Sequence, residues 1–239
     1  KNMIKIIAEI GWNHCGDLDL AKKMAKSAQE NGATYAKYQT WSVDRLKPGS
    51  WDDDGRRQIY EKAELSKEDH IELIDYCNQI GIKFLSSVFS IDDAKLLVEL
   101  GCKEVKIPSF ESRNHDLLKY CNKHFDVIFM STGTSTFEEI QESCNLITIS
   151  SLYLLHCVSS YPCEPKIANI PRMSALKYIN IPFTSTNIGR DNKFAILPHD
   201  LSNLSSYIQL RNEMMINHGK DFQECELDSR TNYEGRFNG

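Results

Sequence analysis

Residues 18–40 read LDLAKKMAKSAQENGATYAKYQT, and this stretch decides the class of fold. Its apolar residues first recur every three or four positions, which predicts an amphipathic helix over Leu18–Asn31. An Asn-Gly pair then marks the end of the helix, and the apolar and aromatic run Tyr35–Thr40 predicts a buried β-strand. Because a helix leads directly into a strand, the stretch indicates one unit of an alternating α/β protein.

The same alternation recurs along most of the chain. The predicted strands are Met3–Ile10, Tyr35–Thr40, Lys83–Phe89, Glu104–Pro108, Val127–Ser131, Tyr153–Cys157 and Ile179–Phe183. The further predicted helices are Lys67–Ile80, Ile91–Leu100, Asn114–Lys123, Phe137–Cys144, Ala168–Tyr178 and His199–His218. Strands separated by helices predict a parallel sheet covered on both faces, which fits either a doubly wound sheet or a (β/α)8 barrel.

Polar residues at the strand ends favour the barrel. They are Glu9, Lys37, Gln39, Ser87, Lys106, Ser109, Glu111, Ser131, His156 and Tyr161. A barrel gathers the carboxyl ends of its strands into one mouth, whereas an open sheet would spread these residues along an edge. We therefore predict a TIM barrel with one active-site mouth.

Composition excludes several classes of protein. The chain has 239 residues and a net charge of -5, which disfavours a nucleic-acid binder. No apolar run approaches the roughly 18 residues of a membrane span, and residues 1–7 lack a signal-peptide pattern. The eight cysteines are scattered without a C-x-x-C pair, as is typical of reduced thiols. These features predict a cytoplasmic protein that acts on small molecules.

One long insertion, Trp41–Leu65, separates the second predicted strand from its helix. Loops of this length on the catalytic face often act as lids, but a solvated and partly mobile loop fits equally well. Among the histidines, we expect His70, His115, His124 and His218 to be solvated. His14 and His156 lie at strand ends, where a metal-binding or catalytic role is open.

Three charged residues lie inside apolar strands. Glu9, Lys37 and Lys106 are costly to bury unless they are paired or functional. A lysine that points into a barrel is either a Schiff-base nucleophile or a fixed cation for an anionic substrate. Serines at the later strand ends favour the second reading, because hydroxyl and backbone N–H groups hold phosphate or carboxylate well. The residues thus indicate an anion-handling barrel enzyme.

Seven segments, taken in order, resemble the sialic acid synthase family. They are Ala8–Asp17, Ala36–Thr40, Leu85–Phe89, Val105–Glu111, Met130–Gly133, Leu154–Pro162 and Gly189–Asp191. The match is collinear from Met3 to about Phe183 and resumes at Gly189. The resemblance implies a TIM barrel that condenses phosphoenolpyruvate (PEP) with an N-acylated amino-sugar aldehyde and releases phosphate. N-acetylmannosamine and a diacetamido-hexose are both candidate sugars.

The resemblance also assigns roles to individual residues. It places Lys37, Lys106, Ser109, Ser131, Ser87 and Ser159 around PEP, with Ser87 replacing a usual Thr and Ser159 a usual Asn. It makes Glu9, Tyr161 and Asp191 catalytic, and it places Gln39, Glu111 and Asn13 near the sugar. It implies a divalent metal, Mn2+ or Mg2+, and is compatible with a homodimer. A Schiff-base lysine aldolase and a non-catalytic PEP- or sugar-binding homologue remain as alternatives.

The chain departs from the family after its seventh predicted strand. Ile181–Ile188 runs almost directly into Gly189–Asp191, so the strand 7–8 region and both motifs that carry the family's metal histidines are missing. Either the chain carries a real deletion here or residues are left out around 184–189. The metal ligands are therefore unknown. We expect residues 1–239 to form a single catalytic barrel domain without the family's C-terminal antifreeze-like domain.

Overall fold

The computed structural model describes residues 5–49, 52–160, 163–176, 214 and 216–237. Six strands form one sheet: β1 Ile7–Gly11, β2 Tyr35–Thr40, β3 Lys83–Val88, β4 Glu104–Ile107, β5 Val127–Ser131 and β6 Ser151–Leu155. Every neighbouring pair is parallel, and the strands follow one another in chain order. Because a doubly wound sheet reverses its strand order at a switch point, this order within the described strands agrees with the predicted barrel.

Helices connect the strands. They are α1 Leu18–Glu30, α2 Arg56–Ala63, α3 Lys67–Ile80, α4 Ile91–Glu99, α5 His115–His124, α6 Phe137–Asn145, α7 Arg172–Leu176 and α8 Leu227–Tyr233. Short 3₁₀ turns lie at Val43–Arg45, Ser109–Glu111, Pro165–Ile167 and Glu224–Glu226. The start of α3 shows how sequence sets these bounds, because Ser66 and Asp69 form a reciprocal capping box.

The sheet curls towards a barrel. Tyr35 on β2 and Phe129 on β5 are not strand neighbours, yet their ring centroids are 5.6 Å apart across the interior. Lys5, just before β1, lies 6.0 Å from the ring centroid of Tyr153 on β6. Among the described strands β1 and β6 are not paired, so the barrel is open on that side. The predicted strand Ile179–Phe183 and most of the predicted helix His199–His218 lie outside the described residues.

Two layers of side chains result from the strand alternation. The interior cluster holds Tyr35, Leu85, Phe129 and Leu155. The alternate positions face the helices, where the main apolar core includes Val105, Ile107, Ile128, Met130 and Leu154. The interior cluster extends from the first residue of β2 to the last residue of β6, and Leu85 and Phe129 lie in register with Lys37 and Lys106.

The insertion Trp41–Leu65 is not a solvated loop. It contains a 3₁₀ turn and α2, and Trp41 and Tyr60 are buried against Phe237 near the end of the described chain. Of the two alternatives, a solvated loop does not describe these aromatic residues, because their rings form a small core of their own. Whether the segment closes over substrate stays a prediction.

The prediction that His70 is solvated was wrong, because the residue is fully buried. Its Nε2 lies 2.8 Å from Thr40 Oγ1 and its Nδ1 lies 2.7 Å from the Ser66 carbonyl oxygen. His115 and His218 are exposed, and His124 is half-buried. All eight cysteines are free thiols, as predicted. None of the helices in the described ranges is long and apolar enough to cross a membrane.

Candidate functional site

An ion pair lies on the β1 side of the candidate site. Glu9 and Lys37 are direct register partners on β1 and β2, and their side chains form a salt bridge. The Lys37 side chain is only 6% exposed, whereas the Glu9 side chain is 51% exposed. Lys37 Nζ also donates a hydrogen bond of 3.0 Å to Ser87 Oγ on β3. Three adjacent strands thus place a buried cation beside a carboxylate that reaches solvent.

Gly11 leaves room for this pair. A Cβ atom at residue 11 would lie 3.1 Å from Glu9 Oε1 and 3.6 Å from Gln39 Nε2, and the φ angle of +57° is one that other residues rarely adopt. Glu9 Oε1 and Gln39 Nε2 therefore both border the space beside Gly11. The structure therefore brings together Glu9, Lys37, Gln39 and Ser87, as predicted from their strand-end positions.

The second lysine lies on the same face of the sheet. Lys106 on β4 is the register partner of Ser87, which itself accepts the hydrogen bond from Lys37. In a parallel sheet, register partners present their side chains to the same side, which here is the barrel interior. Ser87 therefore accepts a hydrogen bond from one interior lysine and is the register partner of the other.

A group of hydroxyls forms the β4–β6 side of the site. A Cβ atom at Gly133 would lie 2.8 Å from Ser109 Oγ and 2.6 Å from Ser159 Oγ, so both hydroxyls pack directly on this glycine. Ser131, at the end of β5, is buried and accepts a hydrogen bond of 3.3 Å from Cys157 Sγ. Hydroxyls packed on a glycine backbone at strand ends can hold a small anion.

Two charged residues beside these hydroxyls were missed from the sequence. Glu226 is 1% exposed, and its Oε1 would lie 3.0 Å from a Cβ atom at Gly133. Arg172 is 2% exposed and donates to three backbone carbonyl oxygens. Neither residue lies in a strand or matches a motif, so no local sequence signal points to it.

Two of the predicted sugar contacts are engaged within the protein. Asn13 Nδ2 donates a hydrogen bond of 2.9 Å to the Ile10 carbonyl oxygen. Glu111 is fully buried, and its two oxygens accept hydrogen bonds from Asn114 Nδ2 at 2.8 Å and the Gly235 N–H at 3.0 Å. Burial raises the pKa of Glu111 to about 7. Their roles towards a sugar stay predictions.

Tyr161 and Asp191, two of the predicted catalytic residues, lie outside the described residues. His14 and His156 are buried, and burial lowers the pKa of both imidazoles. Each has one ring nitrogen without a hydrogen-bond partner among the described residues. Within the part of the chain that the structure describes, no three His, Cys, Asp or Glu side chains converge to hold a metal.

Several proteins with known names are similar in sequence to this chain. The chain is 36% identical over 189 residues to the N,N'-diacetyllegionaminic acid synthase of Campylobacter jejuni, a match that covers 72% of this chain and 56% of the relative. It is 32% identical over 186 residues to the pseudaminic acid synthase of Helicobacter pylori, covering 72% of this chain and 55% of the relative. The chain therefore spans about half the length of these relatives.

Solved structures share the fold. The N-acetylneuraminic acid synthetase of Leptospira borgpetersenii, crystallised with citrate, superposes with a TM-score of 0.70 at 25% identity and covers 95% of this chain and 90% of that one. The model of the NeuB family matches residues 24–180, which is more than half of the chain. The parallel sheet in chain order, the Lys37–Glu9 ion pair and the cluster of serine hydroxyls agree with that match. This chain belongs to the NeuB family.

Proposed function

We propose that this chain catalyses, or forms the catalytic part of an enzyme that catalyses, the condensation of PEP with an N-acylated amino-sugar aldehyde to a nonulosonic acid. The carrying observation is that Lys37 donates a hydrogen bond to Ser87, whose register partner on the next strand is the second interior lysine, Lys106. PEP carries both a phosphate and a carboxylate, so it needs fixed cations and hydroxyl donors in one place.

The two sides of the mouth can divide the work of binding PEP. The interior lysines supply positive charge, and Ser109, Ser131 and Ser159 supply hydroxyl donors on the β4–β6 side. Because the lysine on β2 is 6% exposed, its attraction for an anion is screened by water much less than that of a surface lysine. This arrangement supports an anion that spans from β2 to β6.

Glu9 is suited to the sugar and to proton transfer. In the proposed reaction carbon 3 of PEP forms a bond to the aldehyde carbon, water adds at carbon 2, and phosphate leaves the tetrahedral adduct. The aldehyde oxygen gains a proton and the attacking water loses one. The Glu9 carboxylate reaches the mouth beside Lys37, so it can orient the sugar hydroxyls or exchange one of these protons.

The Schiff-base alternative fits the site less well. A Schiff-base lysine needs an amine that is free to attack a carbonyl carbon, whereas the Lys37 amine contacts both the Glu9 carboxylate and the Ser87 hydroxyl. The identity of the sugar, the divalent metal, the homodimer and the cytoplasmic location stay predictions. The named relatives, a legionaminic and a pseudaminic acid synthase, make diacetamido-hexoses the first sugars to test.

The test is phosphate release from PEP with a panel of N-acyl amino sugars in the presence of Mn2+ or Mg2+. We expect release that requires both a sugar and PEP, and we expect Glu9→Gln to lower turnover with little change in the KM for PEP. Borohydride treatment with pyruvate, followed by mass spectrometry, should leave Lys37 and Lys106 unmodified. The proposal would be contradicted if none of the sugars in the panel supported phosphate release, or if borohydride trapped an adduct on either lysine.

A further inference from the structure

The carboxylate of Glu226 lies between the loop after β5 and the loop after β6, beside the cluster of serine hydroxyls. Glu226 Oε1 accepts hydrogen bonds from the backbone N–H of Thr134 at 2.8 Å and of Ser159 at 2.9 Å. Its Oε2 accepts a third from the Gln223 N–H at 2.8 Å. One buried side chain therefore joins the loop after β5 to the loop after β6.

The loop after β5 has a conformation that needs support. Thr134 has a φ angle of +59°, in the left-handed region that a β-branched residue rarely adopts. Its N–H is held by Glu226, and its carbonyl oxygen accepts from Arg230. Side chains from α8 and the preceding turn thus hold both backbone polar groups of this residue.

Arg172 holds the same loop from its other side. Its Nη1 donates to the Thr132 carbonyl oxygen at 2.9 Å and its Nη2 to the Ser135 carbonyl oxygen at 2.7 Å. The loop 131–135 is therefore fixed by a buried guanidinium group and a buried carboxylate. Gly133, on which the Ser109 and Ser159 hydroxyls pack, lies at its centre.

We propose that Glu226 is a positioning residue for the anion site. By joining the Thr134 and Ser159 N–H groups it keeps Ser159 Oγ and Gly133 next to Ser109 Oγ, so that the hydroxyls are aligned before PEP binds. This inference rests on the proposed function. Glu226 acts through the two loops and is not assigned any contact with the reacting atoms.

A different role for Glu226 would change PEP affinity in the opposite direction, which makes the inference testable. A carboxylate on two backbone N–H groups could instead occupy the place of a substrate anion, and its removal would then tighten PEP binding. The contacts favour positioning, because Oε2 is tied to its own turn and Ser229 Oγ also donates to the Ser159 carbonyl oxygen at 2.9 Å. The turn is docked against the loop by more than its carboxylate.

The experiment is calorimetric titration of the whole chain with PEP and, separately, with inorganic phosphate. We compare wild type with Glu226→Ala, Glu226→Gln and a matched control, Asp221→Ala. Asp221 Oδ1 accepts from the Phe137 N–H at 2.7 Å, so it also docks the C-terminal segment on the start of α6, but away from the hydroxyl group. Thermal unfolding of each variant reports any loss of stability.

We expect Glu226→Ala to weaken binding of PEP by tenfold or more. Glu226→Gln keeps an acceptor oxygen and should recover part of this loss, remaining a few-fold weaker than wild type. Asp221→Ala should unfold at a lower temperature yet bind PEP as tightly as wild type. If the alanine variant does not fold, the glutamine variant decides, since unchanged binding there would overturn the inference.

Three results separate this inference from the proposed function. Unchanged or tighter PEP binding in the Glu226 variants would overturn the positioning role alone. A wild-type chain that binds phosphate but not PEP, with phosphate binding that depends on Glu226, would overturn the proposed function and keep the positioning role. A wild-type chain that binds neither anion would overturn both.

Discussion

The two sides of the mouth are built in different ways. On the β1–β3 side, Glu9, Lys37 and Ser87 stand on strands and contact one another directly. On the β4–β6 side, the hydroxyls of Ser109 and Ser159 meet at a loop, and residues distant in the chain hold that loop in place. The first side is fixed by the sheet itself, and the second depends on how the C-terminal segment docks.

This difference separates binding strength from fold stability. A change on the strand-borne side removes a charge or a hydroxyl and leaves the sheet hydrogen bonds intact. A change among the residues that hold the β5 loop leaves backbone groups unpaired inside the protein, which is costly to the fold. Variants on the strand-borne side should therefore change PEP affinity and leave stability nearly unchanged, whereas variants among the residues that hold the β5 loop should also lower stability.

The largest effect is expected for Arg172→Met. Three backbone carbonyl oxygens would lose a charged donor in a buried place, and hydrogen bonds to charged groups are each worth about 1.5–3 kcal/mol. We expect the free energy of unfolding to fall by about 3 kcal/mol or more, and Tm to fall by roughly 6–12 °C. Denaturant and thermal unfolding, followed by circular dichroism, measure both.

The control for this variant is Lys220→Met. The Lys220 carbonyl oxygen accepts a hydrogen bond from Arg172, but its side chain pairs with Glu138, and both of these side chains are more than half exposed. We therefore expect a change within about 0.5 kcal/mol. A similar small change in Arg172→Met would show that the loop after β5 does not depend on its buried guanidinium group.

Sequence patterns predicted most of the strand-borne side and little of the other. Alternation along Tyr35–Thr40 places Lys37 and Gln39 on one face, and the observed strand has the predicted bounds. The pattern could also have revealed the burial of His70, because it shares a helix face with Leu73 and Cys77, which are buried.

The contacts that hold the β5 loop could not be predicted. Glu226 and Thr134 are 92 positions apart in the chain, and Arg172 and Thr132 are 40 apart. The segment around Glu226 has no apolar periodicity that would predict where it packs. Such contacts are set by tertiary docking, which local propensity does not encode.

The second-largest expected effect is on the pH dependence of the free energy of unfolding, and it is tested with Glu111→Gln. Burial raises the pKa of Glu111 to about 7 from 4.5, with the Glu234 and Asp93 carboxylates adding to the rise. The folded chain therefore holds this proton more tightly than the unfolded chain. Its contribution to stability is complete below about pH 4.5 and is lost as the pH rises through 7, by up to about 3 kcal/mol.

We expect the stability advantage of the wild type over Glu111→Gln to fall as pH rises between about 4.5 and 7, while the lowered pKa of the buried His14, His70 and His156 imidazoles contributes an opposite slope to both proteins. Asp93, whose pKa burial raises to about 6, should retain its own part of the slope. The control is Glu138→Gln, at an exposed ion pair, which should leave the slope in place. An equal slope in wild type and Glu111→Gln would show that Glu111 is not titrating in this range.

The smallest effect is expected for Ser87→Ala. It removes the acceptor of the 3.0 Å hydrogen bond from Lys37 but keeps both lysines and the strand. We expect PEP affinity to fall about fivefold, as befits one hydrogen bond of about 1 kcal/mol, with Tm nearly unchanged. The control Ser86→Ala alters the neighbouring hydroxyl, which faces Thr40 on the helix side of the sheet, and should leave PEP affinity unchanged.

The most direct measurement of the central claim is the dissociation constant of PEP for wild type, Lys106→Ala and Lys103→Ala. Lys106 points into the barrel beside Ser87, whereas Lys103 is exposed just before the amino end of the same strand. The account predicts PEP binding about ten- to a hundredfold weaker in Lys106→Ala and unchanged in Lys103→Ala. Equal PEP affinity in all three proteins would contradict it.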